Sequence, residues 1–441
     1  MKLINKLMLS AVAASALLMP VSQAVAQANE QFIALPTYRV GPYAANGNAF
    51  YGGFIDYMNY VNMKEGGING VKLTWEECET EYNNAKGVEC YERLKAKDPV
   101  AHGTVFHVMS TGIAYALIDK SVQDKVPLVT AGYGRTDAVD GSVFPWAFPL
   151  VTTYQMQVSA IVKYLASKNK GSLEGKKIVY LYHDSAYGKE PIVALEAEAA
   201  LRKFNVVEIP VAHPGNEQGA QWLKIRQEKP DYVSFWGWGV MNPTALKAAQ
   251  KVGYPRDQII GSWWAGSEED TVPAGAAAKG YMSATWNVAG TTPPAIAGIE
   301  KVVYAAGKGN VQDKSKVGSA LYNRGVSIAI VTVEAIRNAQ AHFNAKGKVI
   351  SGEQMRWALE NLDLNQARLK QLGASDLLPT IKTSCDNHEG SGMIKIQQWN
   401  GSKWVIVSDW LEGNKALIHP LFKASAARYA KEKGITPACM K

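Results

Sequence analysis

The sequence predicts an α/β fold of parallel sheets flanked by helices, and three observations carry that prediction. Short apolar or β-branched runs alternate with segments of helical period, the pattern of βαβ units. The first unit is the most legible: a buried strand at Phe32–Leu35, a loop holding Arg39 and Gly41-Pro42, then a long amphipathic helix. Near the other end, Asn400-Gly401 separates two strand-like runs. That dipeptide adopts positive φ at little cost, so it closes a hairpin.

In chain order, the strands fall at 31–36, 71–76, 103–108, 126–131, 176–182, 205–211, 231–236, 258–263 and 279–285. Helices fill the gaps at 47–64, 83–97, 111–124, 153–168, 188–204, 217–229, 241–252 and 268–277. Helix 47–64 shows the logic, since Phe50, Phe54, Met58 and Val61 recur at three- and four-residue spacings on one face. After Tyr281 the alternation stops. Helices at 295–307, 317–344 and 352–362 follow one another, then Ile381–Thr383 and the hairpin Met393–Gln398 with Trp404–Val407. A tail, 411–441, ends in a helix with Pro420 near its start and Cys439 at its end.

The chain's first residues stand apart from this fold. Lys2 and Lys6 form a basic start, Leu7 to Met19 an apolar run, and Ala24-Val25-Ala26 a small-residue cleavage site. Residues 1–26 therefore read as a secretory signal peptide, the run being shorter than the ~20 residues a membrane anchor needs. The remainder suits two domains of ordinary size. A net charge of +8 is interspersed with acids such as Glu76-Glu77 and Glu268-Glu269-Asp270, so no basic stripe suggests a nucleic-acid partner. An exported chain meets oxidising conditions, and Cys78, Cys90, Cys385 and Cys439 are expected to pair, in one of three connectivities.

Catalytic motifs are missing. There is no GxSxG, HExxH, GxxxxGK[ST] or strand-borne GxGxxG, and the seven histidines are scattered. Asp386-Asn387-His388-Glu389 reads as a polar turn rather than a metal site, and His183-Asp184 specifies no reaction by itself. The expectation is a protein that is not an enzyme, with no cofactor and no metal.

The block from Phe32 to Trp75 resembles the start of the periplasmic substrate-binding proteins of ABC transporters, of the branched-chain amino-acid (Leu/Ile/Val-binding) type. Gly41-Pro42 and the turn Gly66-Gly67-Ile68-Asn69-Gly70-Val71-Lys72-Leu73 carry the match, and the order of elements extends it over nearly all of the chain before 411. The resemblance implies the two-lobed periplasmic binding protein-like fold type I, with three crossovers between lobes. Lobe 1 would be 27–150 with 286–382, lobe 2 would be 151–285 with 383–410, and 411–441 is an extension. It also implies a Cys78–Cys90 disulfide, which leaves Cys385 for Cys439.

The same resemblance places the ligand between the lobes. Ser110, Thr111 and Gly112 match the loop that holds a substrate carboxylate; read as residues alone, they serve equally as a helix cap. Gly132 and Tyr133 match the next loop, where Gly134 replaces an expected threonine donor. Tyr154, Tyr187, Trp238 and Trp263 match cleft-facing positions of the second lobe, with Trp236 and Trp264 read as core. Trp263 is the main departure, because amino-acid receptors place a carboxylate there to pair the ligand's ammonium. Arg39 offers a bidentate fork for a carboxylate, or else a salt bridge.

Together these readings predict a monomeric periplasmic receptor that closes on a small carboxylate, aromatic or hydrophobic rather than zwitterionic, for ABC permease subunits. An amino acid stays possible. A ligand sensor for a membrane receptor is the alternative, distinguishable by neighbouring genes. A secreted carbohydrate-active protein is remote, since the cleft loops offer no facing pair of carboxylates.

Overall fold

The computed structural model describes residues 29–97 and 105–440; the signal-peptide reading and the start of the 103–108 strand lie outside the described residues. Two sheets organise it. The first is wholly parallel and has five strands: β1 (Glu30–Thr37), β2 (Lys72–Glu79), β3 (Phe106–His107), β4 (Leu128–Val129) and β5 (Ala147–Phe148), in the order β2-β1-β3-β4-β5. Parallel pairing needs crossover helices, and here they are α1 (Ala44–Glu65), α2 (Asn84–Lys95) and α3 (Thr111–Asp124). β1 and β2 pair from Glu30 opposite Lys72 to Thr37 opposite Glu79.

The first crossover leads into α4 (Tyr154–Lys168) and a second parallel set: β6 (Lys177–His183), β7 (Asn205–Val211), β8 (Tyr232–Trp236), β9 (Ile259–Gly261) and β10 (Met282–Thr285). Its order, β7-β6-β8-β9-β10, repeats that of the first sheet. The hairpin Met393–Trp399 and Trp404–Ile406 extends it antiparallel, with Met282 opposite Gln398. The chain passes between sheets near residues 149–153, 286–290 and 383–392. These connections hold one another: Val151 bridges Gly390, and Gly392 N–H donates to Val151 O at 2.9 Å. The fold is thus two-lobed with three crossovers.

Local chemistry explains where elements differ from expectation. The predicted helix 188–204 splits into Ala186–Lys189 and Ile192–Arg202 because Pro191 has no N–H to continue the ladder. The predicted helix 268–277 splits likewise around Pro273, into Glu268–Thr271 and a 3₁₀ turn at Gly275–Ala278. β3, β4 and β5 are only two residues long, and β5 is further obscured by Pro145 and Pro149 on either side. The helix Ala320–His342 is buried on almost every side, packed between α1 and the crossovers.

Both disulfides form, Cys78–Cys90 and Cys385–Cys439. The tail helix, Lys415–Lys433, ends at Gly434 in the left-handed conformation, so Cys439 lies beyond the helix rather than at its end. Its start sits on the second lobe, where Asn414 N–H donates to Ser159 Oγ at 2.7 Å. Its far end sits on the first, where Ser425 Oγ donates to Asp137 Oδ2 at 2.8 Å and Lys433 Nζ pairs with Asp119 at 2.5 Å. Replacing Cys385 and Cys439 together by serine should cost up to about 4 kcal/mol, the chain-entropy value for a loop of 54 residues. Urea unfolding of the double variant against the wild type checks this, and limited proteolysis should release the tail first.

Candidate functional site

The carboxyl ends of the two sheets face each other, and the loops there build one site. After β3, Ser110 caps α3, its Oγ accepting from Ile113 N–H at 3.5 Å. Thr111 Oγ1 lies 3.4 Å from Tyr154 Oη and accepts from Gly134 N–H at 3.3 Å. From the second lobe, Tyr187 Oη donates to Gly237 O at 3.1 Å and sits 2.6 Å from Ser262 Oγ. A cavity of about 330 Å³ lies between them, lined by Ser110, Thr111 and Gly112 from one side and His183, Tyr187 and His213 from the other.

An aromatic wall continues from that cavity. Tyr154 stacks on Trp263 with ring centroids 5.6 Å apart, and Tyr133 stacks on Trp264 at 4.3 Å. Trp238 stacks on Tyr43, and Tyr133 Oη lies 3.2 Å from Tyr38 Oη. Gly132 lets Trp263 approach, since a Cβ there would stand 3.0 Å from its Cζ2. All of these rings are buried, and the indole N–H groups of Trp238, Trp263 and Trp264 have no hydrogen-bond acceptor. Trp286 and Trp404 carry an unpartnered N–H as well, so what distinguishes this wall is three such donors in one aromatic cluster.

Gly134, in place of a threonine donor, now has a physical reason. A Cβ there would lie 1.9 Å from Glu190 Oε2. Glu190 comes from the second lobe and accepts from Thr136 N–H at 2.7 Å and Tyr115 Oη at 2.8 Å. A carboxylate bridging the lobes has taken the space a threonine side chain would need.

The structure does not bring Arg39 to this cavity. Its Nε pairs with Glu77, Nη2 donates to Asn310 Oδ1 at 2.8 Å, and Nη1 to Asn48 Oδ1 at 3.3 Å. It lines a separate open cleft of about 600 Å³ on the first lobe. The arginine nearest the aromatic wall is instead Arg324, which the sequence reading missed. Fully buried on the helix Ala320–His342, it donates to Trp263 O and, at 2.8 Å, to Asn287 Oδ1. Its guanidinium lies 5.5 Å from the Trp264 ring centre and 5.6 Å from that of Trp286. Burial lowers its pKa to about 10, so it keeps its charge at neutral pH. A signal existed, because a cation inside an apolar helix pattern needs a reason.

The neighbouring acids are engaged elsewhere. Asp270 accepts from Asn242 Nδ2 at 2.8 Å and from Ser267 N–H at 2.9 Å, and burial pushes it up to about 7. Glu268 accepts from Ala320 N–H at 2.8 Å and is raised to about 7 for the same reason.

With this geometry in view, the comparisons decide the family. The periplasmic binding protein family model matches residues 30–403. The chain belongs to the periplasmic binding protein family. A crystal structure from the Pseudomonas fluorescens group, titled an ABC transporter permease, is 46% identical, covering 94% of this chain and all of that one, with a TM-score of 0.87. Two more distant structures share the fold. One, a branched-chain amino-acid ABC transporter protein from Thermus thermophilus with bound valine, is 22% identical, covers 89% of this chain and 99% of its own, and has a TM-score of 0.74. The other, a solute-binding protein from R. palustris in complex with benzoate, is 18% identical, covers 87% and 96%, and has a TM-score of 0.67. A search of curated proteins matched none to this chain. The family is one of solute receptors rather than enzymes, and this periplasmic binding protein is of the kind that ABC transporters use. Among its described residues no helix is long and apolar enough to cross a membrane.

Proposed function

We propose that this protein is the periplasmic receptor of a branched-chain amino-acid-type ABC importer. Its ligand is a small aromatic or hydrophobic carboxylate without an ammonium group. Residues 27–150 with 286–382 move as one lobe against 151–285 with 383–410, and closure buries the ligand. Ser110, Thr111 and Gly112 receive the carboxylate, whose charge is favoured at a helix start. Tyr154, Tyr187, Trp238 and Trp263 supply apolar faces, with Gly132 and Tyr133 shaping the wall. Arg39, paired with Glu77 in its own cleft, stays out of contact with the buried ligand. Export by the signal peptide and delivery to permease subunits, as a monomer, complete the role.

The observation that carries this reading is Trp263. It stands where an amino-acid receptor would present an acid, its indole N–H is unpartnered, and Glu268 and Asp270 are already bonded. The lining is therefore rich in donors and aromatic faces, and its nearest acids are taken up by protein donors rather than turned to a ligand ammonium. That the R. palustris neighbour holds benzoate and the Thermus one valine shows that this fold accommodates both classes.

A thermal-shift screen of the mature protein against amino acids, aromatic acids and aliphatic acids tests it. A ligand at 100 times its Kd adds about 2.7 kcal/mol, so the true class raises Tm visibly. Stabilisation by aromatic or aliphatic acids is the expected result. Stabilisation by valine or leucine alone would overturn the ligand class.

A further inference from the structure

At the mouth of the cleft three side chains meet that no function has yet absorbed. Tyr43 stands just before α1 on the first lobe, His183 ends β6, and His213 follows β7 on the second. Tyr43 Oη lies 3.0 Å from His183 Nε2 and is in close contact with His213 Nδ1. The two imidazole nitrogens are themselves 3.2 Å apart. Each atom is therefore in contact with both of the others. We propose that Tyr43, His183 and His213 form a site for a divalent transition-metal ion of the zinc class, bridging the two lobes.

Hydrogen bonds alone fill this triangle poorly. An imidazole nitrogen offers one in-plane direction, used either to donate or to accept. His183 Nδ1 lies 2.9 Å from Ser185 Oγ. If Nδ1–H donates there, the Nε2 lone pair faces the triangle, which is the arrangement metal-bound histidines usually show. If His213 Nδ1–H donates to Tyr43 Oη and the phenol to His183 Nε2, two edges of the triangle are filled and the two imidazole nitrogens still face each other across the third. A cation at the centre satisfies all three atoms at once. Zinc bonds of 2.0–2.1 Å at tetrahedral angles set donor atoms about 3.3 Å apart, near the 3.0 and 3.2 Å edges seen here, while the closer Tyr43–His213 edge must open as the ion enters.

Access and chemistry agree with this assignment. His213 is exposed while Tyr43 and His183 are buried, so an ion can enter from solvent and be sheltered once bound. The cavity beside the histidines leaves a fourth position for water or a ligand oxygen. Two imidazoles and a phenolate suit zinc, copper or nickel rather than calcium or magnesium. Among the described residues no three His, Cys, Asp or Glu side chains form such a group; here the third donor is a tyrosine.

The test uses untagged mature protein, stripped with chelator and titrated calorimetrically with Zn²⁺ alone. One ion per chain should bind with micromolar or tighter Kd, and Co²⁺ should give the intense visible bands of a four-coordinate ion. His213→Ala should weaken Zn²⁺ binding at least tenfold and abolish those bands; being exposed, it leaves the fold intact, as its Tm will verify. Tyr43→Phe keeps the ring and should weaken binding as much. No stoichiometric binding, or binding that survives His213→Ala, overturns the site and leaves a hydrogen-bonded latch. Binding unchanged by Tyr43→Phe overturns the bridge between lobes. No organic acid enters these titrations, so their failure and that of the carboxylate reading are separate results.

Discussion

Replacing Arg324 by methionine is expected to cost on the order of 3–5 kcal/mol of stability, the usual result of removing one partner from a buried charged network. The guanidinium serves acceptors from three places: Trp263 O, Asn287 Oδ1 at 2.8 Å and Thr285 Oγ1 at 3.2 Å. Methionine fills much of the volume but strips the Trp263 carbonyl of this donor in a dry interior, leaving Asn287 Oδ1 and Thr285 Oγ1 only the bonds they share. It also removes the cation nearest to Asp270 and Glu268. Lysine should not rescue, because one ammonium cannot reproduce a planar fork with three separate acceptors. Urea unfolding midpoints of the methionine and lysine variants decide the matter, and a loss under 1 kcal/mol in both would refute this account. Ligand affinity should fall with the same change, since Trp263 is held by its carbonyl to this residue.

Trp263 itself separates packing from recognition. Trp263→Ala should lose about 3–5 kcal/mol, as large aromatic truncations in a packed core do, because the ring is fully buried and stacked on Tyr154. Trp263→Phe retains an aromatic face but loses the unpartnered indole donor and part of the ring volume, so its stability cost should be about 1–2 kcal/mol. If the indole serves the ligand, the phenylalanine variant should bind the best acid from the screen roughly tenfold more weakly. Unchanged affinity in Trp263→Phe would show that the indole N–H meets nothing when the lobes close.

The elements most visible in the sequence were those with long periods or strong punctuation. Helix α1 and the βα alternation announced themselves through Phe50, Phe54, Met58 and Val61, while Pro191 and Pro273 were present but underused as breakers. The candidate cavity was legible where residues follow a strand end, as with Ser110–Gly112 and Tyr187, because the βα loops of a parallel sheet open on one edge. It was illegible where partners are far apart in the chain. Arg39 was open to a carboxylate ligand or a salt bridge until Glu77 and Asn310 appeared beside it, and no spacing rule links Tyr43 to His183 and His213. Glu190 explains Gly134 only once the second lobe is in place. Long-range polar pairing leaves no local trace.

The tail helix has a mechanical meaning. Two lobes joined only by neighbouring crossover strands can swing apart, but they can also twist about the line between them. A strut anchored at Ser159 on one side and at Asp119 and Asp137 on the other, its end tied to the third crossover by the Cys385–Cys439 bond, opposes that twist. For the proposed closure this would leave close to a single degree of freedom, a gate on one axle. Fewer open conformations mean less entropy surrendered on each capture, and a docking partner meets one predictable sequence of shapes.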